Sequence, residues 1–186
     1  AKQAKIIHLD IDNSEIGKNV PNRLVGGFDD EFQGDMVPRV TYMGDPYSCA
    51  FSGKALTFFS SRNLASPELL EQRTIEERID SVFYSDEYAA AIVRNTNGEY
   101  GSRLEVYKKD GTHVLSKEFN FEYTHADFDG DLIILYNEDS CRIYNMSGTE
   151  KFDATFDFPV SRIRKGRFPG MLVVTGPQQM RELKLH

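Results

Sequence analysis

The sequence contains no tryptophan, two cysteines and no long apolar run, and each shortage excludes a class of protein. Cys49 and Cys141 are too few for the disulfide framework of a small secreted domain, and their spacing does not fit a zinc site. We interpret them as two buried free thiols; a single long-range disulfide stays open for a chain that lies outside the cell. No stretch reaches the roughly 18 apolar residues that a membrane span needs.

Positive charge is also scarce. The formal net charge is −7, so the chain as a whole lacks the cationic surface that binds nucleic acid. The one dense basic stretch comprises Arg162, Arg164, Lys165 and Arg167 around Gly166. We interpret it as the solvated tip of a hairpin and predict no nucleic-acid partner.

Aromatic residues, by contrast, are abundant. They make up 12% of the chain and favour β-structure, where rings pack on a pleated surface. From about residue 40 onward, short apolar or alternating runs are separated by turn dipeptides such as Asp110-Gly111, Asp129-Gly130 and Ser147-Gly148. Asp-Gly and Ser-Gly supply the positive φ angles that tight hairpins require. This pattern predicts an all-β sandwich, barrel or propeller.

An internal repeat narrows the choice. Residues 104–112 align with residues 141–149 at an offset of 37, and Tyr, Gly and Thr coincide in the two copies. The same offset places Phe119 on Phe156 and Phe121 on Phe158. A looser copy covers 160–186, and an earlier unit covers 40–75. A period of about 40 residues with four short strands is typical of a β-propeller blade.

The predicted fold is therefore all-β and β-propeller-like, with about four antiparallel four-stranded blades. The blades are placed at approximately 38–78, 79–119, 120–157 and 158–186. Residues 1–12 are predicted to be a strand of a preceding blade, and 13–37 an acidic, Gly-rich loop. A strand is predicted at 121–127. Residues 66–79 fit either a helix capped by Ser66 and Pro67 or two strands, and strands are favoured because neighbouring blades would otherwise lose their pairing.

Six stretches carry a resemblance to a known family: EYAAAIV at 87–93, LEVY at 104–107, KEFNFEY at 117–123, IILYNE at 133–138, CRIYN at 141–145 and GTEKF at 148–152. They resemble a family of Gram-positive bacterial proteins catalogued as a domain of unknown function. The resemblance implies a short cytoplasmic tail, one membrane helix and a propeller-like domain outside the cell. By it, this chain is an incomplete, C-terminal part of a larger propeller. No catalytic residues come with it.

Two acidic clusters are candidate metal sites. Asp127, Asp129 and Asp131 alternate as in a calcium loop, but Gly130 precedes the third acid, and an apolar strand follows at once. A hairpin turn is the favoured interpretation. The second cluster, at 29–31 with Asp35, lies in the predicted loop and is interpreted as solvated.

Candidate catalytic residues are equally sparse. The four histidines, His8, His113, His125 and His186, show no metal-binding spacing. On a strand, His125 and Asp127 would share one face, as a base and its orienting acid do. No nucleophile motif accompanies them, so a structural hydrogen bond between the two is favoured. We predict no catalytic, cofactor-binding or metal-binding residue and no cofactor.

Two functions remain. The first is a non-catalytic extracytoplasmic binding or scaffold domain of a bacterial cell-surface protein, for a protein, peptide or cell-wall glycan. The alternative is a glycan-acting hydrolase with carboxylates at the propeller axis. Membrane attachment is expected only through a helix absent from this chain. Because a partial propeller leaves blade edges unpaired, the chain is expected to be either an open arc or a homo-oligomer through those edges, and a compact monomer without an unpaired edge strand would contradict both.

Overall fold

A computed structural model describes the backbone of residues 6–10 and 23–28, and backbone and side chains of 39–63, 67–95, 99–168 and 170–185. Within these ranges every regular element is a β-strand, and the chain is all-β, as predicted. The same ranges hold no helix long and apolar enough to cross a membrane. Two compact units are present: Ala1–Ile79 with Lys108–Thr112, and Asp80–Tyr107 with His113–His186.

The first unit contains a two-stranded and a four-stranded antiparallel sheet, with strand orders β1-β2 and β3-β4-β5-β6. Its strands are β1 (Ile6–Asp10), β2 (Arg23–Phe28), β3 (Arg39–Tyr42), β4 (Tyr47–Phe51), β5 (Ala55–Ser60) and β6 (Glu68–Thr74). Every residue of β5 is buried, whereas the outermost strand β6 is partly or fully exposed. Burial thus falls from the middle of the sheet to its edge.

The second unit contains three antiparallel sheets, with orders β10-β9-β8-β7, β11-β12-β13-β14 and β15-β16-β17. Only Ile79 and the turn Lys108–Thr112 of its first sheet belong to the other unit. The strands are β7 (Ile79–Tyr84), β8 (Tyr88–Arg94), β9 (Ser102–Lys108), β10 (His113–Phe119), β11 (His125–Asp129), β12 (Leu132–Tyr136), β13 (Ser140–Asn145), β14 (Glu150–Thr155), β15 (Arg162–Lys165), β16 (Met171–Thr175) and β17 (Met180–Lys184). Four-stranded blades are confirmed for three of the sheets, while the last has three strands.

Strand β12 shows how the sheets of this unit pack. Its residues are all buried, and they alternate between two cores because successive side chains point to opposite faces. Ile133 and Leu135 join a core with residues of the preceding sheet, such as Ile92 and Leu104. Leu132, Ile134 and Tyr136 instead join a core with Ile143 of their own sheet and with Leu172 and Val174 of the following sheet. A strand that is buried on both faces has a nearly continuous apolar sequence, as the IILY stretch of β12 does.

The repeat has a direct structural meaning. Its two copies are the third strands β9 and β13, with the turns that lead into β10 and β14. Gly111 and Gly148 close these turns with φ angles of +87° and +78°. The amide of each glycine donates to the carbonyl oxygen three residues earlier, at 2.9 Å in both turns. The offset seen in the sequence is therefore the blade period.

Residues 66–79 contain strands, as favoured over the helix. Glu68–Thr74 is β6, and β7 begins at Ile79. Strand β6 pairs with β5 through six residue pairs, with a bulge at Phe58 and Phe59. Pairing with an already buried strand overrides the local capping pattern, because helix propensity and a cap contribute only about 1 kcal/mol.

Two predictions of local structure were wrong. Arg23–Phe28 was predicted to lie in a loop, but it forms β2 and pairs with β1 despite Gly26 and Gly27. The rest of the predicted loop, with its acidic cluster at 29–31 and Asp35, lies outside the described residues. The strand predicted at 121–127 begins only at His125, because residues 120–124 form the connection between two sheets.

Candidate functional site

An open groove of about 1380 Å³ lies at one end of the sheets β7–β10 and β11–β14. Its walls are the start of β7, the ends that flank the β8–β9 loop, the whole β10–β11 connection and the β12–β13 turn. Loops that a rigid sheet holds in place are where binding residues concentrate in such folds. The groove is therefore the candidate functional site of the second unit.

Aromatic side chains from the end of β10 and from the β10–β11 connection form the floor of the groove. Phe119 is buried, and its ring lies 6.2 Å from that of Tyr123. The Tyr123 hydroxyl shares a 2.7 Å hydrogen bond with the hydroxyl of Ser81 on β7. Burial, together with the nearby Asp80 carboxylate, raises the pKa of Tyr123, so the phenol stays protonated at neutral pH. The floor is thus a fixed, uncharged surface.

Asparagine side chains hold the loops around that floor. The Asn120 carbonyl Oδ1 accepts the backbone amide of Gly101 at 2.6 Å, which joins the β10–β11 connection to the β8–β9 loop. In that loop, Asn95 Nδ2 donates to Glu118 Oε1 at 3.1 Å. The guanidinium of Arg142 lies 5.3 Å from the Phe121 ring and supports the same connection from below.

Asn137 organises the opposite wall. Its Oδ1 accepts the backbone amides of Asp139 at 3.2 Å and Ser140 at 2.8 Å, which closes the β12–β13 turn. Its Nδ2 donates to the carbonyl oxygen of Glu122 at 2.7 Å and so ties the turn to the β10–β11 connection. One side chain thereby fixes two of the walls relative to each other.

The rim of the groove is acidic. Asp80 forms an ion pair with Arg94, with 3.1 Å between Oδ2 and Nε. Three further carboxylates line the groove on exposed residues: Glu122, Glu138 and Asp139. With four acids and one base, the lining has a net charge of −3 (1 − 4). Such a surface attracts cationic ligands and repels anionic ones.

The calcium-like pattern at Asp127, Asp129 and Asp131 is a hairpin turn, as favoured. Strands β11 and β12 pair from Asp129 and Leu132, which leaves a two-residue turn with Gly130 at a φ of +60°. Over the described ranges, no group of three or more His, Cys, Asp or Glu side chains could hold a metal ion.

The predicted hydrogen bond between His125 and Asp127 is replaced by contacts with other residues. His125 Nδ1 lies 2.9 Å from the Thr124 hydroxyl, and its ring stacks on Tyr136 with centroids 4.8 Å apart. Asp127 Oδ1 accepts the backbone amide of Phe128 at 2.9 Å. These nearby groups are the preferred partners because both side chains lie at the exposed start of a strand. His8 is described only in its backbone, and His186 lies outside the described residues.

A cluster that the sequence pattern did not reveal surrounds Glu105. One of its carboxylate oxygens accepts Arg103 Nε at 2.6 Å and the Ser116 hydroxyl at 2.7 Å. The other lies 3.1 Å from His113 Nε2. The acid stands between serine and histidine, whereas a nucleophilic triad needs the histidine in the middle to take the serine proton. The cluster therefore satisfies a buried charge and is structural.

The two cysteines are buried free thiols, as interpreted from their number. Burial raises the pKa of both, to about 12 for Cys141. Since the thiolate is the reactive form, burial disfavours either thiol as a nucleophile at neutral pH.

The sequence did not single out the groove residues. Asn95, Asn120 and Asn137 follow the ends of strands, which is the only sequence signal that points to them. Their shared location emerges only when strands of two sheets end side by side.

Solved structures with the same fold are distant in sequence. Saccharomyces cerevisiae Sqt1 is 13% identical, with a TM-score of 0.54 over 88% of this chain and 50% of that chain. A chain of the Mitotic Checkpoint Complex is 10% identical, with a TM-score of 0.54 over 88% and 51%. BBS1N, solved in complex with ARL6DN, is 8% identical, with a TM-score of 0.53 over 87% and 55%. These neighbours are β-propellers of the WD40 type, and the chain spans about half their length.

Among curated proteins, none matches this sequence. A protein family described as "Family of unknown function (DUF5711)" matches this chain over residues 10–185, which is nearly its whole length. The chain therefore belongs to the DUF5711 family, whose function is unknown.

Proposed function

We propose that this chain is a non-catalytic binding domain that holds a basic segment of a partner protein. The site is the groove lined by Asp80, Glu122, Glu138 and Asp139 over the Phe119–Tyr123 floor, here called the acidic groove. The single observation that carries the proposal is this open, preorganised cleft, built by the loops of two adjacent propeller blades.

The fold supports a protein ligand. Two of the similar structures are protein complexes by their titles, BBS1N with ARL6DN and the Mitotic Checkpoint Complex. A propeller presents loops from successive blades at one end, which suits an extended partner better than a small molecule. Likeness of fold alone does not assign a ligand, so the argument rests on the groove itself.

The shape of the groove favours a polypeptide segment. It is open and shallow rather than enclosed, whereas small-molecule sites bury most of the ligand. Its polar groups are already paired with one another, for example Asn137 with three backbone groups. A partner therefore meets a rigid surface, and little conformational entropy is lost on binding.

The charge of the groove favours lysine or arginine in the partner. Glu122, Glu138 and Asp139 are exposed, and surface carboxylates attract cations over about 8 to 10 Å at physiological salt. Complementary charge of this kind raises the association rate and selects the partner.

The glycan hydrolase has no comparable support. Such an enzyme needs two carboxylates that converge on one bond, one of them kept protonated by burial. In the groove, Asp80 is engaged by Arg94, and the other three acids are exposed. This environment suits electrostatic recognition rather than proton donation.

The location belongs to the same proposal. The resemblance of the sequence to membrane-anchored bacterial proteins supports a domain on the outer face of the membrane, attached by a helix elsewhere in the protein. Protease treatment of intact cells, followed by immunodetection of this domain, tests it. Cleavage without lysis is the expected result.

Peptide selection tests the ligand. A random peptide library is selected on the wild-type chain and counter-selected on the double variant Glu122→Lys/Glu138→Lys. We expect the enriched peptides to be rich in Lys and Arg and to bind the double variant at least tenfold more weakly, since two nearby charges are reversed. Glu182→Lys on β17 is the matched control, because it reverses an exposed charge outside the groove.

Each alternative outcome is distinct. Peptides without excess basic residues, or equal binding to wild type and double variant, would refute the acidic groove as the site. A rise in the melting temperature with cell-wall glycans, lost in the double variant, would replace the protein ligand by a glycan.

A further inference from the structure

The β15–β16 hairpin ends in a tip with an unusual composition for this acidic chain. Its cationic side chains are those of Arg164 and Lys165 at the end of β15 and of Arg167 in the turn, and all three residues are exposed; Arg162 is also exposed but lies at the start of β15, paired with Thr175. Beside them, Phe168 is 63% exposed. Arg164, Lys165, Arg167 and Phe168 are together called the basic tip. An exposed phenylalanine surrounded by cations is a feature that folding alone does not require.

The basic tip is firmly attached to its sheet. The Gly166 amide donates to the Met171 carbonyl oxygen at 2.7 Å, and the Met171 amide donates to the Phe168 carbonyl oxygen at 3.1 Å. A Cβ on Gly166 would come within 2.9 Å of Met171 Cβ, so the turn is tightly closed. Ile163, in the same strand as Arg164 and Lys165, is 4% exposed and belongs to the core.

The adjacent β11–β12 turn fixes the orientation of the tip. The Lys165 backbone amide donates to Asp129, and Lys165 Nζ lies 3.6 Å from Asp131 Oδ1. One cation of the tip is thereby neutralised. Arg164 and Arg167 have no carboxylate partner in the part of the chain that the structure describes. Arg167 instead lies over the Phe168 ring, 5.9 Å from its centroid.

We propose that the basic tip docks on an anionic lipid surface, with Phe168 entering the headgroup region and the arginines contacting lipid phosphates. Cations attract an anionic leaflet, and an aromatic ring adds burial at the boundary with the acyl chains. A nucleic acid fits less well, because a single tip offers no basic stripe that could follow a backbone. The contact is separate from the membrane helix that the family resemblance implies.

The topology places this surface away from the acidic groove. Lys165 contacts the β11–β12 turn, whereas the groove uses the β12–β13 turn at the other end of the same strands. The domain would then hold a protein at one end of its blades while the other end rests on lipid. The lipid contact does not depend on the groove, so either proposal can fail alone.

The absence of tryptophan from the chain offers a direct test. In the variant Phe168→Trp, the single tryptophan reports the polarity around the tip. Vesicles of phosphatidylcholine with phosphatidylglycerol are compared with vesicles of phosphatidylcholine alone. We expect a blue shift of the emission, and quenching by brominated lipid, only with the anionic vesicles. An emission spectrum unchanged by anionic vesicles would overturn the proposal.

Cosedimentation with the same vesicles tests the residues. One arginine near an anionic surface contributes roughly fivefold to the partition coefficient, so Arg164→Gln/Arg167→Gln should weaken binding about 25-fold. Phe168→Ala should weaken it about tenfold. The matched controls are Arg181→Gln and Tyr100→Ala, which remove an exposed charge and an exposed ring elsewhere in the unit.

These substitutions change exposed side chains, and a thermal melt confirms that each variant folds. If the tip variants and the controls lost vesicle binding to the same extent, the attraction would be a general electrostatic one, and the basic tip would be refuted as the site. The proposal would also be refuted if the protein bound a DNA duplex as tightly as it binds the vesicles, and if Arg164→Gln/Arg167→Gln weakened both interactions equally.

Discussion

Gly111 and Gly148 occupy the same position in two copies of the repeat, yet alanine should destabilise the protein far more at Gly111. Both glycines have a positive φ, +87° and +78°, in turns closed by the same hydrogen bond. Placing a side chain in that region of φ costs about 1 to 2 kcal/mol at either site. The backbone penalty therefore cancels in the comparison, and only the surroundings differ.

The surroundings differ sharply. A Cβ on Gly111 would lie 2.4 Å from Glu71 Cβ and 3.0 Å from Phe58 Cδ2, in the first compact unit. The Glu71 Cβ is fixed by the backbone of β6, so relief requires a strand to move. A Cβ on Gly148 would lie 2.9 Å from Leu115 Cδ1, the end of a side chain that can rotate.

Overpacking against fixed atoms typically costs a further 1 to 3 kcal/mol, roughly. We expect Gly148→Ala to lower the free energy of unfolding by about 1.5 kcal/mol and Gly111→Ala by about 3 kcal/mol or more. In a chain of this size, each kcal/mol corresponds to about 2 to 4 °C in melting temperature. Urea denaturation at equilibrium, with the melting temperature as a second readout, measures the difference.

Gly101→Ala provides the baseline. Its Cβ would lie 3.6 Å from Asn120 Oδ1, an ordinary contact, and its φ lies outside the positive range. We expect a change within about 0.5 kcal/mol. Equal losses for Gly111→Ala and Gly148→Ala would show that β6 yields easily, and the reasoning from fixed contacts would be refuted.

Two further predictions concern the groove and the core. Asn137→Ala should lower the free energy of unfolding by about 2 kcal/mol, because three hydrogen bonds to backbone groups are lost. Asn137→Asp should lower the free energy of unfolding less, because it keeps both hydrogen bonds that Oδ1 accepts and loses only the one donated to Glu122. Urea denaturation of the two variants measures the difference, and equal decreases would contradict the assigned roles. The pKa of Cys141 is raised from 9.0 to about 12, so its stabilising effect is complete below pH 9.0 and is lost as the pH rises toward 12. Above pH 9.0 this thiol should lower the free energy of unfolding by about 1.4 kcal/mol per pH unit. When the free energy of unfolding is measured against pH, Cys141→Ala should remove that part of the decrease.

The sequence alone determined the features that depend on near neighbours in the chain. Alternating apolar residues and Gly turns depend on the period of two and on local φ preferences, so strands such as β9, β10, β13 and β14 were predictable. The repeat then predicted blades, because identical turns recur at the blade period. The hairpin at Gly130 and the basic hairpin tip are local in the same sense.

Only the tertiary structure decided where function resides. The acidic groove joins Asp80 of strand β7, Glu122 of the β10–β11 connection and Glu138 of the β12–β13 turn, and the stacking of two sheets brings them together. The pairing of β6 with β5 decided against a helix at 66–79, since strand pairing outweighs a weak local preference. Strand β2 forms despite Gly26 and Gly27 because it pairs with β1. Hydrogen bonding and burial between distant segments are cooperative, and no local pattern encodes which segments will meet.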